Sequence, residues 1–162
     1  MTSLSKLFLG VETGLTGLLA LGAGLLTVSE AVIRYLSPAS LPDWSAEVTV
    51  YLIGWAVMLS ASRLIRDRMH VSVDMVIEHL SPRALRGAEI FTCVFGILVS
   101  AGIVYAGLKM VDFALMFGER SDSSIRFPMW GYYAAIPVGF GLCAAQYAIQ
   151  LVSLLRPRGT SC

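Results

Sequence analysis

The chain has 162 residues, of which 56% are hydrophobic and 14% charged, with a formal net charge of +1. Ordinary soluble domains are about 45–50% apolar and about 25% charged, so this composition points to a membrane protein and away from a soluble one. The near-neutral charge supplies no basic field to gather nucleic acid. Cys93, Cys143 and Cys162 show no C-x-x-C spacing. The first two lie in apolar runs where a thiol acts as a small hydrophobe, so neither a disulfide framework nor a metal site is expected.

The first apolar segment covers about residues 7–33, with a charge-free centre from Thr13 to Ser29 bracketed by Glu12 and Glu30. Lys6 and this stretch raise the question of a secretory signal. The stretch is long and lacks a small-residue cleavage site, so it reads as an uncleaved span. Gly10-x-x-x-Gly14, followed by Gly17 and Gly24, gives it a small-residue face suited to close helix packing. Glu12, near Lys6 and the inner interface, reads as a solvated helix-start carboxylate. The alternative is the cation-binding carboxylate of a small four-helix drug/cation antiporter. Glu30 and Arg34 are four apart and can pair near the outer interface, where water screens them.

The second segment covers about 44–65. It opens with Trp44 and Glu47 and closes with Arg63 and Arg66, whose stems can snorkel outward. Trp44, Glu47, Tyr51 and Trp55 are separated by three, four and four residues, which places them on one helical stripe continuing to Met58 and Ser62. Such a stripe fits an interfacial tryptophan with a packing face, or a docking face for another membrane protein. After it, residues 71–80 are too short to span but carry Val73, Val76, Ile77 and Leu80 at helical spacing, which predicts a short helix in the interface plane. His70 and His79 fall together in this loop. They read as surface or interface histidines, the alternative being the haem ligands of a membrane anchor of an oxidoreductase.

The third segment covers about 88–109, with an uninterrupted apolar run between Glu89 and Lys109. The fourth covers about 129–155 and enters through Pro128, Trp130, Tyr132 and Tyr133, an aromatic belt. Backbone groups in hydrocarbon must be satisfied within the chain, and no alternation suited to a barrel is present. The expectation is an all-α integral membrane protein, one domain over 1–162 with four transmembrane helices. Lys6, Arg63, Arg66, Arg68, Arg83, Arg86, Arg156 and Arg158 outnumber Arg34, Lys109, Arg120 and Arg126, which predicts both termini on the cytoplasmic side. No phosphate-cradling loop, nucleophile with a base, or carboxylate pair in a cleft is evident, so the chain reads as a non-enzyme without cofactor.

The order Arg34-Tyr35, Trp44-Ser-Ala-Glu47, Tyr51, Trp55, Arg66 and His70-Val-Ser-Val-Asp74 resembles the small, DctQ-like subunit of tripartite ATP-independent periplasmic (TRAP) transporters. The stretch from Ser124 to Gly139, with Pro128, Trp130 and Pro137, is similar to that family's loop into its last helix. Ser60-Ala61-Ser62 and Arg63 depart from the family's usual Gly-Ala-Ala and apolar residue at these places. The resemblance implies a multi-pass subunit of the bacterial inner membrane with no transport activity of its own. It would be a fixed scaffold for a large elevator-type membrane subunit that imports organic anions, carboxylates or sialic acid, with a sodium gradient after delivery by a periplasmic binding protein. On this reading Trp44, Glu47, Tyr51 and Trp55, with Arg34, His70 and Asp74, face the large subunit. The outer-loop residues Asp43, Glu119, Arg120 and Asp122 are candidates to touch the binding protein.

Overall fold

A computed structural model of the protein describes residues 3–37, 42–66 and 82–155. Five helices occupy them: α1 (Ser3–Leu36), α2 (Ser45–Arg66), α3 (Pro82–Phe117), α4 (Trp130–Tyr133) and α5 (Ala135–Leu155). No strand occurs among the described residues; a single antiparallel bridge joins Arg120 to Pro128. Four stretches are long and apolar enough to cross a membrane: Gly10–Leu36, Ser45–Arg66, Ala84–Phe117 and Trp130–Leu155. The protein is therefore an all-α, four-span membrane protein. The expected interfacial helix at 71–80, with His70, Asp74 and His79, lies outside the described residues.

Local chemistry sets the helix ends. Ser45 opens α2 by donating its hydroxyl back to the Pro42 carbonyl at 3.0 Å. The end of α3 is closed by Gly118 at φ +60°. Gly118 N–H donates to Leu115 O and Glu119 N–H to Ala114 O, the paired bonds of a left-handed helix stop that suits glycine. The break between α4 and α5 falls at Ala134, three residues before Pro137. Pro137 has no N–H for the Tyr133 carbonyl, and its ring crowds that carbonyl, so the fourth span is two helices in series.

The third helix extends well past the apolar run that announces it, to Phe117. Lys109 and Asp112 end the charge-free stretch, yet neither disfavours helix, so charge marks the edge of hydrocarbon and not the end of hydrogen bonding. At 1.5 Å per residue, α1 with 34 residues and α3 with 36 each run about 50 Å, longer than a hydrocarbon core of about 30 Å. Tilt and projection past the interface take up the difference.

The helices pack as an open row. The α1 helix lies on α2, α2 on α5, and α5 on α3, with short α4 wedged beside α3 at one end. A row leaves two broad faces uncovered, which is why Leu18, Leu21, Leu25, Phe91, Phe95 and Leu98 are all exposed. Outside water this costs nothing, because lipid tails and partner helices both accept apolar side chains.

The glycines that permit close approach are not those of the expected α1 face. A Cβ on Gly10, Gly14, Gly17 or Gly24 would meet nothing within 4 Å, so this small-residue face packs on no other described part of the chain. Close contacts instead occur at Gly96 against the Tyr147 ring, Gly107 against Pro137 and Gly139 against Met58. The spacing of glycines reveals a face but not what covers it. Accordingly, Gly17→Ala and Gly24→Ala are expected to leave the midpoint of detergent-induced unfolding unchanged or slightly raised, by up to about 1 kcal/mol from helix propensity. A clear loss of stability in either variant would mean that this face is already packed.

Candidate functional site

Two polar clusters stand out in an otherwise apolar row, one at each end. At the end that holds Glu12, three helices converge. Ser62 of α2 donates its hydroxyl to one Glu12 carboxylate oxygen. Arg66 Nη2 donates to the other at 2.8 Å. With its amide oxygen turned towards Arg66, Gln146 of α5 accepts from Arg66 Nε at 3.3 Å and Nη2 at 2.8 Å. One helical turn further on, Gln150 Nε2 donates to the Ile65 carbonyl at 2.5 Å. Arg63 Nη1 reaches Thr13 Oγ1 at 3.1 Å.

Glu12 is only 6% exposed and Ser62 only 1%. Glu12 is thus not the solvated helix-start carboxylate expected from its nearness to Lys6. It follows Val11 and faces α2, and the guanidinium and hydroxyl that replace its water come from residues 50 and 54 positions away. The antiporter alternative loses its carboxylate for the same reason, since a transported cation would have to displace Arg66. A carboxylate buried beside a guanidinium in this way is a clasp between α1 and α2, which Gln146 extends to α5.

The opposite end is built from the start of α2, the loop 118–129 and α4. Asp43 accepts from Ser124 twice, from the backbone N–H at 3.0 Å and from the hydroxyl at 2.7 Å. Within the loop, Ser121 donates its N–H to the Phe127 carbonyl, and its hydroxyl accepts from the Phe127 N–H and meets the Ser123 hydroxyl at 2.8 Å. Arg126 sits in the left-handed region at φ +49° and donates its N–H to Ser123 O, which tightens the turn. Tyr51 donates to Glu47 at 2.5 Å, contacts Met129 Sδ at 3.1 Å and stacks on Tyr132 with ring centroids 5.0 Å apart. Trp55 donates its indole N–H to the Gly131 carbonyl at 3.1 Å.

The α2 stripe is therefore a seam within the chain: Tyr51 donates to Glu47 on its own helix and lies against Met129, Trp55 donates to Gly131, and Trp44, Glu47, Tyr51 and Trp55 all stay half-buried. Arg34 is not part of it; it is exposed and pairs with Glu30 at 3.1 Å. Asp43 belongs to the loop tie, while Glu119 and Arg120 stand at the loop's start and Asp122 is exposed beside them. The residues that spacing alone did not single out are Gln146, Gln150, Met129 and the serines of the loop. Two glutamines four apart inside an apolar span were the available signal, because a buried amide requires a partner. No comparable signal marks Ser124, whose partner Asp43 is distant in sequence.

The Asp43 carboxyl is held below its usual 3.8, chiefly by the Ser124 hydroxyl and then by the Ser124 N–H. Because the folded value is depressed, the tie is fully present above 3.8 and is lost as pH falls through the lower folded value. The Ser124 amide resonance is expected to titrate with a midpoint under 3.8, and Ser124→Ala is expected to raise the Asp43 midpoint. Titration at the usual value in the unmodified chain would exclude the tie.

Residues 23–157 match the family of tripartite ATP-independent periplasmic transporters, DctQ component. The chain belongs to that family. DctQ proteins are a transporter component and not an enzyme, so this multi-pass protein is a TRAP transporter small permease component. The C4-dicarboxylate TRAP transporter small permease protein DctQ of Pseudomonas aeruginosa is 27% identical over 157 residues, covering 92% of this chain and 67% of that one. The protein of the same description from Rhodobacter capsulatus is 28% identical over 109 residues, covering 64% of this chain and 45% of that one. The isethionate TRAP transporter permease protein DctMQ of Oleidesulfovibrio alaskensis is 23% identical over 123 residues, 76% of this chain but 19% of that one. The chain thus spans about two thirds of the first of these relatives and less of the others. The haem-anchor alternative rested on His70 and His79, which lie outside the described residues, and the family matched is that of a transporter component instead.

Proposed function

We propose that this DctQ-family chain is the fixed small subunit of a sodium-driven TRAP transporter in a bacterial inner membrane. Both termini face the cytoplasm and the loop 118–129 faces the periplasm, on the distribution of Lys and Arg. The chain docks on a large permease subunit that carries organic anions, carboxylates or sialic acid, delivered by a periplasmic binding protein.

The observation that carries this reading is the open row of helices. A single-file arrangement exposes apolar faces on both sides, and one side is free to lie against a larger membrane protein while the other meets lipid. The relative named DctMQ supports it, because the matched part is 19% of a chain whose name joins M and Q. The clasp at Glu12 and the loop ties at Asp43 hold the row rigid, as a stator for a sliding domain requires. With Tyr51 and Trp55 engaged internally, docking on α2 falls to the half-buried Trp44 and the exposed ridge Val50, Ile53 and Val57 beside the stripe. Arg34 lies at the same outer end of α1. Asp43, Glu119, Arg120 and Asp122 are left to the binding protein.

Co-expression of the tagged chain with the products of its neighbouring genes tests the reading. A stoichiometric multi-span partner is expected after detergent purification, and Trp44→Ala combined with Ile53→Trp is expected to reduce its yield several-fold without loss of helix content. Purification of the chain as a homo-oligomer without partner would count against the scaffold role. Unchanged yield in the double variant would move the docking face away from α2.

A further inference from the structure

The end of the row that holds Glu12 carries a second guanidinium besides that of the clasp. Arg63 stands one helical turn before Arg66 on α2 and, unlike Arg66, is exposed, with exposed Leu64 beside it. Its Nη1 donates to Thr13 Oγ1 across the α1–α2 seam at 3.1 Å. This bond sets the depth of the charge. Thr13 lies ten residues beyond Ser3, which at 1.5 Å per residue is about 15 Å along α1. A hydrocarbon core of about 30 Å, centred on the 34-residue helix, has its edge about 10 Å from that end. The guanidinium is therefore held about 5 Å inside the core, on the open side of the seam.

An arginine at this depth ordinarily bends its stem back towards the interface. Thr13 holds this one across the seam, so polar groups come to it: a charge inside a bilayer draws water and lipid headgroups inwards by local thinning. Phosphate suits a guanidinium best, because the planar fork gives two parallel hydrogen bonds to two of its oxygens. The neighbouring clasp adds to the demand for negative charge. Glu12 is taken up by Ser62 and Arg66 Nη2, while Arg66 Nη1 is buried and meets no acceptor among the described residues. A phosphate seated on Arg63 places a negative charge within one turn of that guanidinium. We propose that the α1–α2 seam at this end binds the phosphate of an anionic phospholipid through Arg63, with Thr13 as the positioning residue. A lipid fits better than a free anion, since the site lies in hydrocarbon and Leu64 is 50% exposed to meet an acyl chain. Arg63 reaches towards α1, apart from the ridge of Val50, Ile53 and Val57, so the lipid and a large subunit can be held together, and the proposal does not rest on the scaffold role.

The full chain, purified in dodecyl maltoside, is titrated with dioleoylphosphatidylglycerol, and the lipid it retains is counted by native mass spectrometry. Saturable retention of a single lipid is expected. Arg63→Gln is expected to weaken retention about tenfold, as the loss of one charge-assisted hydrogen bond implies. Thr13→Val keeps the charge but lets the side chain leave the seam, and is expected to weaken retention several-fold, which a role of net charge alone would not produce. Lys109→Gln, which removes an exposed cation far along α3, is expected to change nothing. Unchanged helix content and unfolding midpoint in the Arg63 and Thr13 variants check that they fold. Absence of saturable retention, or undiminished retention in either variant, overturns the proposal. Equal retention of dioleoylglycerol, which lacks the phosphate, also overturns it. Displacement of the lipid by inorganic phosphate at equal concentration overturns the lipid as occupant and reassigns the site to a free anion.

Discussion

Replacing Arg66 with methionine is expected to lower the unfolding free energy by about 3–5 kcal/mol, the cost of leaving a buried carboxylate without its partner. The substitution leaves Glu12 with Ser62 alone to bond it, in a position only 6% exposed. It also removes the donor that Gln146 accepts from. Adding Glu12→Gln to Arg66→Met is expected to recover most of the loss, because an amide can bond both Ser62 and Gln146 without carrying charge. Lys109→Met, which removes an exposed cation placed 5.8 Å from the Tyr105 ring centroid, serves as the comparison and is expected to cost no more than about 1 kcal/mol. Unfolding in mixed micelles followed by circular dichroism measures all three. Equal losses in Arg66→Met and Lys109→Met, or no recovery in the double variant, would show that the clasp does not hold α1 to α2.

The second large effect is expected at Gly139. A Cβ there would lie 2.7 Å from Met58 Cβ, 2.9 Å from Met58 O and 3.1 Å from Met58 C, so the backbones of α2 and α5 would have to separate. Gly139→Ala is expected to destabilise by about 1–3 kcal/mol through overpacking, and Gly139→Val by more. Gly141, two residues along the same helix, has open space around it. There the same substitution gains up to about 1 kcal/mol of helix propensity. The opposite signs at two glycines of one helix separate packing from propensity. Because Trp55 and Tyr51 anchor the loop end across the same α2–α5 region, Gly139→Val should also loosen the Trp55 contact with Gly131, read as a red shift of tryptophan fluorescence. Stability losses of equal size at Gly139 and Gly141 would remove the close approach as their cause.

Charge and hydropathy along the chain were enough to count four spans, place an all-α fold in a membrane and point through Trp44, Glu47, Tyr51 and Trp55 to the DctQ family. These properties are local: a run of about 20 apolar residues must be helical in hydrocarbon wherever its neighbours lie. The order in which helices touch is not local. Apolar periodicity in lipid does not distinguish a face that packs on another helix from one that meets acyl chains, since both accept leucine equally. Hence the α1 glycines suggested a contact that the chain does not make, while Gly96, Gly107 and Gly139, in runs of similar composition, make close ones. Hence also Glu12 reads as solvated in sequence and is buried in the fold, because its partners Ser62 and Arg66 come from the far end of α2. The stripe on α2 was visible from its spacing, but only the tertiary structure decided that Tyr51 and Trp55 turn inward, where Met129 at the end of the loop and Gly131 of the final span meet their hydroxyl and indole N–H.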